Sequence, residues 1–503
     1  MFETYRNGRP AAIRDTLARM KETKNGVYFV DGGLGSDKND GLAPESAWKT
    51  VSRVNSAELG RGSSVFFRGY QLFAGTLELG PNAADVLVTS FGEGRATLYG
   101  GTGHGIVLNE VDGATVRNLD IAGYGRKAGS DGSGIAASDC SNLTIEDVVV
   151  HGFRLAGIDV RGGSGIRIER VTARENGAAG IAVNRGADIA RNIVIRDCVA
   201  HSNAGDPKRL DNHSGNGIVV GGLENCTIEY CEAYDNGYDM PRTGNGPVGI
   251  WGYAAHNLTI QYCVSHDNKT SPGGMDGGGF DFDGGVTDSV LQYNLSYNNH
   301  GSGYLLCQYP GAAPWKNNRC RFNISINDGR TNHLAGIHFW AGDAGISDAK
   351  VSHNLVINDR HAVTATHDIP GLVMRNNILI GEDTVIAGPL ATTEFSHNHV
   401  WSRRAKGVFT DGKSDPVELE AWASIGGDTF ATTGDPRIVL PATLAELPTN
   451  PRDLPTMPWG RLLADSPVRG AAGGEPADGE HDLFGNPVGA PRSPGVDQAR
   501  AAR

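Results

Sequence analysis

Between Gly105 and Val363 the chain returns ten times to one short pattern, in most copies a glycine, an apolar residue, a variable residue and a second apolar residue. Gly157-Ile158-Asp159-Val160, Gly180-Ile181-Ala182-Val183 and Gly217-Ile218-Val219-Val220 are typical. The first apolar positions (Ile106, Ile135, Ile158, Ile181, Ile218, Ile250, Phe280, Tyr304, Ile337 and Val363) follow one another at intervals of 23 to 37 residues. Most intervals hold a second alternating run, such as Leu143-Thr144-Ile145-Glu146 or Ile193-Val194-Ile195-Arg196. An asparagine-bearing turn usually follows, at Asn176, Asn203, Asn236, Asn268 and Asn299. Alternation of period two, punctuated by turn residues at a fixed phase, predicts short strands and not helices.

A unit of about 23 residues cannot bury its own apolar face, but stacked on its neighbours it can, which predicts a solenoid. Side chains alternate along a strand, so the apolar residues point inward and the variable ones outward. Read coil by coil, the outward positions form two columns. The first runs Asp159, Ala182, Val219, Trp251, Asp281, Leu305, His338, Thr364, and the second Arg161, Asn184, Gly221, Tyr253, Asp283, Cys307, Trp340, Thr366. One copy departs from the others: Gly279-Phe280-Asp281-Phe282-Asp283 carries a carboxylate at both variable positions. Coils stack at roughly 4.8 Å, which brings Trp251, Tyr253, Asp281, Asp283, His338 and Trp340 within about 15 Å of one another.

The intervals lengthen beside this strip, at 204–216, 237–248, 269–278 and 308–333. All but the last are short enough to form a wall on the side leading into the strand, and long loops on a rigid scaffold are common places for function. These segments supply Lys208, Arg209, His213, Arg242, Lys269, Asp276, Arg330 and His333. Singly, each residue has a plainer reading: an incidental surface Trp, an Asp that starts a turn, a solvated cation, a hydrogen-bonded histidine. Together in one register, aromatics beside carboxylates form a sugar-binding strip, with Trp251, Tyr253, Trp340, His213, Arg209, Arg242, Lys269 and His333 as substrate contacts.

The 71 glycines and the abundant asparagines suit tight turns, and 39% hydrophobic content is enough for a core. A net charge of −12 argues against a nucleic-acid partner. No run is long and apolar enough to cross a membrane. The start, Met1 to Arg6, has no apolar stretch of a secretory signal. The seven cysteines lack a CxxC pair, and Cys198, Cys231 and Cys263 recur at one phase. They read as an inward stack of reduced side chains, not as a metal site or disulfides. The turn asparagines read as a structural ladder. The loop with Asp31, Asp37, Asn39 and Asp40 is oxygen-rich enough to suit Ca²⁺, although a turn needs the same residues. No other cofactor is expected.

At this point the repeat resembles the right-handed parallel β-helix proteins. The opening Tyr28-Phe29-Val30-Asp31, Gly35-Ser36-Asp37-Lys38-Asn39-Asp40-Gly41 and Trp48-Lys49-Thr50 is similar to the first segment of secreted polysaccharide-active members. Asp482-Leu483-Phe484-Gly485-Asn486-Pro487 is similar to their close. The resemblance implies an all-β right-handed parallel β-helix of about ten or more coils. A cap and opening segment would span 1–80, with a helix over 11–22, the solenoid 81–400, and an irregular C-terminal segment 401–503 packed on it. It also implies an exported protein with a polysaccharide or oligosaccharide substrate.

Asp281 and Asp283 stand two residues apart on one strand, with Cα atoms about 6.6 Å apart, which leans towards inverting hydrolysis. One would protonate the glycosidic oxygen and the other, with Asp276, would activate water, while His338 binds substrate or tunes a carboxylate. The strip resembles that of polygalacturonase-type hydrolases, but their Asn-Thr-Asp, Asp-Asp and Gly-His-Gly motifs are absent. A polysaccharide lyase is the alternative, with Ca²⁺ on the acidic cluster and Lys208, Arg209, Arg242 or Lys269 as base. A non-catalytic glycan binder is the third reading.

Overall fold

The computed structural model describes residues 26–498 except 343, 344, 405, 474–478 and 490, so the expected helix over 11–22 lies outside the described residues. The strands stack in parallel into a 25-stranded and a 13-stranded sheet, a parallel β-helix with one strand of the smaller sheet per coil. The larger sheet makes two faces of the solenoid. They merge where the strands Asn216–Glu229 and Val248–Gln261 run through the corner unbroken.

The register is the one the alternation predicts. Asp159 pairs with Ala182, Ala182 with Val219, Val219 with Trp251, Trp251 with Asp281, Asp281 with Leu305, Leu305 with His338, and His338 with Thr364. The inward column that starts at Ile106 and ends at Val363 continues beyond the ten recognisable copies, to Leu77 before them and to Ile386 and Phe409 after them. Thr76, Val385 and Val408 stand there in place of the glycine, which hides these copies from a pattern search. Where glycine is present, close packing requires it: a Cβ on Gly279 would lie 2.2 Å from Ser296 Oγ.

All ten first apolar residues of the phrase are fully buried in one continuous core. At ~1.5–3 kcal/mol for each large apolar side chain, this column drives the stacking. Polar ladders run beside it. Asn176 Nδ2 donates to Asn203 Oδ1 (3.1 Å), Asn203 to Asn236 (3.0 Å), Asn236 to Asn268 (2.9 Å), Asn268 to Asn299 (2.9 Å), and Asn299 to Asp328 (2.8 Å). A second ladder runs Asn294, Asn323, Asn354, Asn377, Asn398 and ends on Asp428. The cysteine stack is buried and reduced as expected, and it leads into this second ladder, since Cys263 N donates to Asn294 Oδ1.

In the opening loop, Asp31 accepts from the amides of Gly33 and Leu34, Asp37 from Lys49 and Thr50, and Asp40 from Leu42. Those carboxylates serve the turn. At the other end, Leu447, Leu454, Met457, Leu462, Leu483 and Val496 pack on Leu295, Ile324, Leu355 and Ile378 of the 13-stranded sheet. Asp482 fastens this segment by accepting from the amides of Phe484, Asn486 and Gln498.

Candidate active site

The strip is not the open solvent face that alternation alone suggests. Trp251, Asp281 and His338 are 4%, 3% and 5% exposed, because the loops leading into the strands fold over the first column. Between loops and sheet lies a cavity of about 600 Å³, within the range of small-ligand sites. Asp281, Asp283, Leu305, Cys307, Tyr253 and Trp340 form its floor. Asn212, His213, Asn245, Met275, Asp276 and His333 form the wall on the side of the lengthened intervals.

The long segment 308–333 corrects the expectation in part. Most of it is ordinary coil, with strands at Trp315–Lys316, Arg319–Arg321 and Ile324–Ile326. Only a turn after the strand Tyr304–Gln308 is extra, and it raises Tyr309 on the far side of the floor. The ring of Tyr309 packs over Gly284, where a Cβ would lie 2.5 Å from Tyr309 Cε1. That contact accounts for the bare backbone after Asp283. Tyr309 and Cys307 escaped the sequence reading; Cys307 stood in the second column, but a thiol among aromatics carried no signal.

Asp281 is the least compensated group in the site. Its Oδ1 is buried without a hydrogen-bond partner. Burial first, then the carboxylates of Asp283 and Asp276, hold its pKa well above the usual carboxylate range. The protonated form is the one this surrounding favours. Asp283 is also pushed up by burial, to about 6, against donors that pull it down: the Cys307 thiol and the amide of Gly284, the latter at 2.7 Å. The surroundings of the two neighbours differ: Asp283 has donors for its charge, whereas Asp281 has none at Oδ1.

Asp276 completes the group from the wall. Its Oδ2 accepts from Gly246 N at 2.6 Å, and its Oδ1 faces His333 Nε2 at 3.5 Å. Asp276 and His333 both adopt left-handed backbone (φ 56° and 62°), a sparsely populated region for non-glycine residues. Ser302 N lies 3.4 Å from His333 Nδ1, so that nitrogen accepts and the proton sits on Nε2, towards Asp276. His333 stacks flat on His338, with centroids 4.3 Å apart and planes 4° apart. Thr364 Oγ1 donates to the carbonyl of His333 (2.9 Å) and so accepts from His338 Nδ1 (2.7 Å). Burial and the neighbouring imidazole push His338 down to about 2, so it is a neutral ring throughout the working pH range. Covered by His333, His338 supports the wall more than it lines the cavity.

Trp251 is held from below: its Nε1 donates to Asn216 Oδ1 at 3.0 Å, and His213 packs edge-on against it at 4.8 Å. Tyr253 lies across Gly221 and ends with its hydroxyl donating to Asn184 Oδ1 at 2.8 Å. Its ring and that of Trp340 are the aromatic surfaces on the second column of the floor.

The expected cations are placed otherwise. Lys269 pairs with Asp235 at 2.6 Å, Lys208 with Asp131 at 2.7 Å, and Arg330 donates to Asn298 Oδ1 at 2.7 Å, all outside the cavity lining. Arg242 donates to the carbonyl of Asp211. Arg209 and Arg242 act on the site through their charge: burial and these two cations push His213 down to about 4, and Arg209 also acts on Tyr253. Loop positions of this kind depend on the path of each insertion, which no repeat pattern specifies.

Two overlapping stretches, residues 94–239 and 133–308, match the family described as the right handed beta helix region. No curated protein matches the chain in sequence. Among solved structures the chain is similar to the GH136 lacto-N-biosidase from Eubacterium ramulus, with 16% identity and a TM-score of 0.52 over 72% of this chain and 68% of that one. It is likewise similar to the A-module of a mannuronan C-5 epimerase from Azotobacter vinelandii, with 14% identity and a TM-score of 0.52 over 83% and 99%. The Dettilon tailspike protein aligns at 13% identity and a TM-score of 0.51 over 78% and 72%. At such identities the likeness concerns the backbone. With the ladders, the register and the family match in agreement, the chain folds as a right-handed parallel β-helix.

Proposed function

We propose that the protein is a carbohydrate-active enzyme that cleaves glycosidic bonds by carboxylate acid/base hydrolysis. The observation that carries this reading is the pair Asp281 and Asp283, adjacent on one cavity floor, the first with an oxygen that lacks any donor and the second with a backbone donor for its charge. Asp281, protonated and poor in donors, gives its proton to the glycosidic oxygen as the bond breaks. Asp283, ionised above about pH 6, takes a proton from the attacking water. Asp276, oriented by Gly246 N and His333, adds negative charge that favours the oxocarbenium-like transition state. Tyr253 and Trp340 offer flat apolar surfaces to sugar rings. A carbohydrate ligand accords with the neighbouring biosidase and epimerase.

β-Elimination has less support. It needs a base and a cation to neutralise the uronate carboxylate, and among the described residues no lysine or arginine lines the cavity. Incubation with a panel of neutral and uronate polysaccharides separates the readings. New reducing ends without ultraviolet-absorbing unsaturated product support hydrolysis. Unsaturated product replaces it with a lyase, and binding without any product replaces it with a glycan binder.

A further inference from the structure

The charge of the cavity is one-sided. Asp276, Asp281 and Asp283 converge in it, and among the described residues every other lining side chain is aromatic, apolar, amide, thiol or imidazole. The cations of the walls pair with none of these carboxylates: Lys208 and Lys269 are held by Asp131 and Asp235, and Arg209 and Arg242, which act by charge on His213, are not among the lining residues. An anionic sugar placed over the floor would bring a further negative charge beside the carboxylates of Asp276 and Asp283, in a setting where like charges are poorly screened. Sugar hydroxyls, in contrast, are donors, and the carboxylates of Asp276 and Asp283 line the cavity as acceptors.

Building on the hydrolase reading, we propose that the site takes an uncharged glycan, with a neutral hexose seated at Asp276, Asp281 and Asp283, and rejects uronate or sulfated sugars at that position. Tyr253 and Trp340 would hold the neighbouring units by their apolar faces. The preference comes from repulsion of the wrong substrate as much as from attraction of the right one.

The test compares matched ligands. Full-length protein carrying Asp281→Asn, in which bound glycans persist, is titrated calorimetrically with cello-, manno- and galacto-oligosaccharides, and with the same oligosaccharides after oxidation of their primary hydroxyls to carboxylates. At least one neutral series binds, about tenfold or more tighter than its oxidised form, and the gap narrows when Asp283→Asn is added. Equal or tighter binding of the oxidised forms overturns the inference, as does failure of every neutral series to bind. Wild-type protein titrated in the cold provides the same comparison should the variant fold poorly. Neutral glycans that bind the wild type with this preference but are not cleaved support the inference and remove the hydrolase reading instead.

Discussion

Two of the buried polar columns that run along this solenoid are built on opposite terms. In the asparagine ladder from Asn176 to Asn299 each amide donates to the next, and the last donates to Asp328, so every coil repeats a satisfied contact. In the strip through Trp251, Asp281, Leu305 and His338 no residue repeats, and the carboxylate at its centre keeps an oxygen without a partner. An amide can be donor and acceptor at once and so can stack on its own kind; a carboxylate cannot. A repeat that tolerates an unrepeated, uncompensated acid in its middle has given up stability there. Chemistry is the reason we assign.

The largest effect should fall on the strip. Asp281→Asn and Asp283→Asn each lower kcat/KM by about 10²–10⁴-fold on a cleaved glycan while the circular dichroism stays native. Full activity in both variants would remove the site assignment.

Next comes the pH profile. Asp283 has a pKa of about 6, so kcat/KM climbs as pH rises through about 6 and the base ionises. Cys307→Ala removes a donor that favours the ionised form and moves this limb to higher pH, whereas Cys307→Ser leaves it in place. Stability has the opposite sign. Both acids have folded-state pKa values raised above 3.8, so their contribution is complete below 3.8 and lost as pH rises through the folded values. Asp281→Asn should therefore gain in melting temperature over the wild type when measured at pH 8 relative to pH 4.

The ladder predicts a change in stability alone. Asn236→Ala strands a buried donor on one coil and an acceptor on the next, costing about 2 kcal/mol in denaturant unfolding with kcat unchanged at low temperature. Smallest is Arg452→Ala on the C-terminal segment. It loses a surface pair with Asp197 and a cation–π contact with Tyr230, about 0.5–1 kcal/mol in all, and weakens with added salt.

The register was legible from the chain because stacking is nearly one-dimensional. Each strand meets its neighbour one coil away, and period-two alternation sets which side chains face out. Hence the pairing of Trp251 with Asp281 and the asparagine and cysteine stacks could be read before any coordinates. The three coils without the glycine phrase could not, because Thr76, Val385 and Val408 stand where the glycine would mark the copy.

What the sequence by itself determined is thus the order of groups along each face of the solenoid, including the single acidic copy at Phe280-Asp281-Phe282-Asp283. The tertiary structure decided which of those groups share one cavity. Loops between Ala204 and Asp276 folded over the sheet, buried Asp281 and His338, and brought His333 onto Asp276 while sending Lys208 and Lys269 to outside partners. Alternation is a local property of the backbone, whereas burial, and with it the protonation of an acid, depends on everything packed around it.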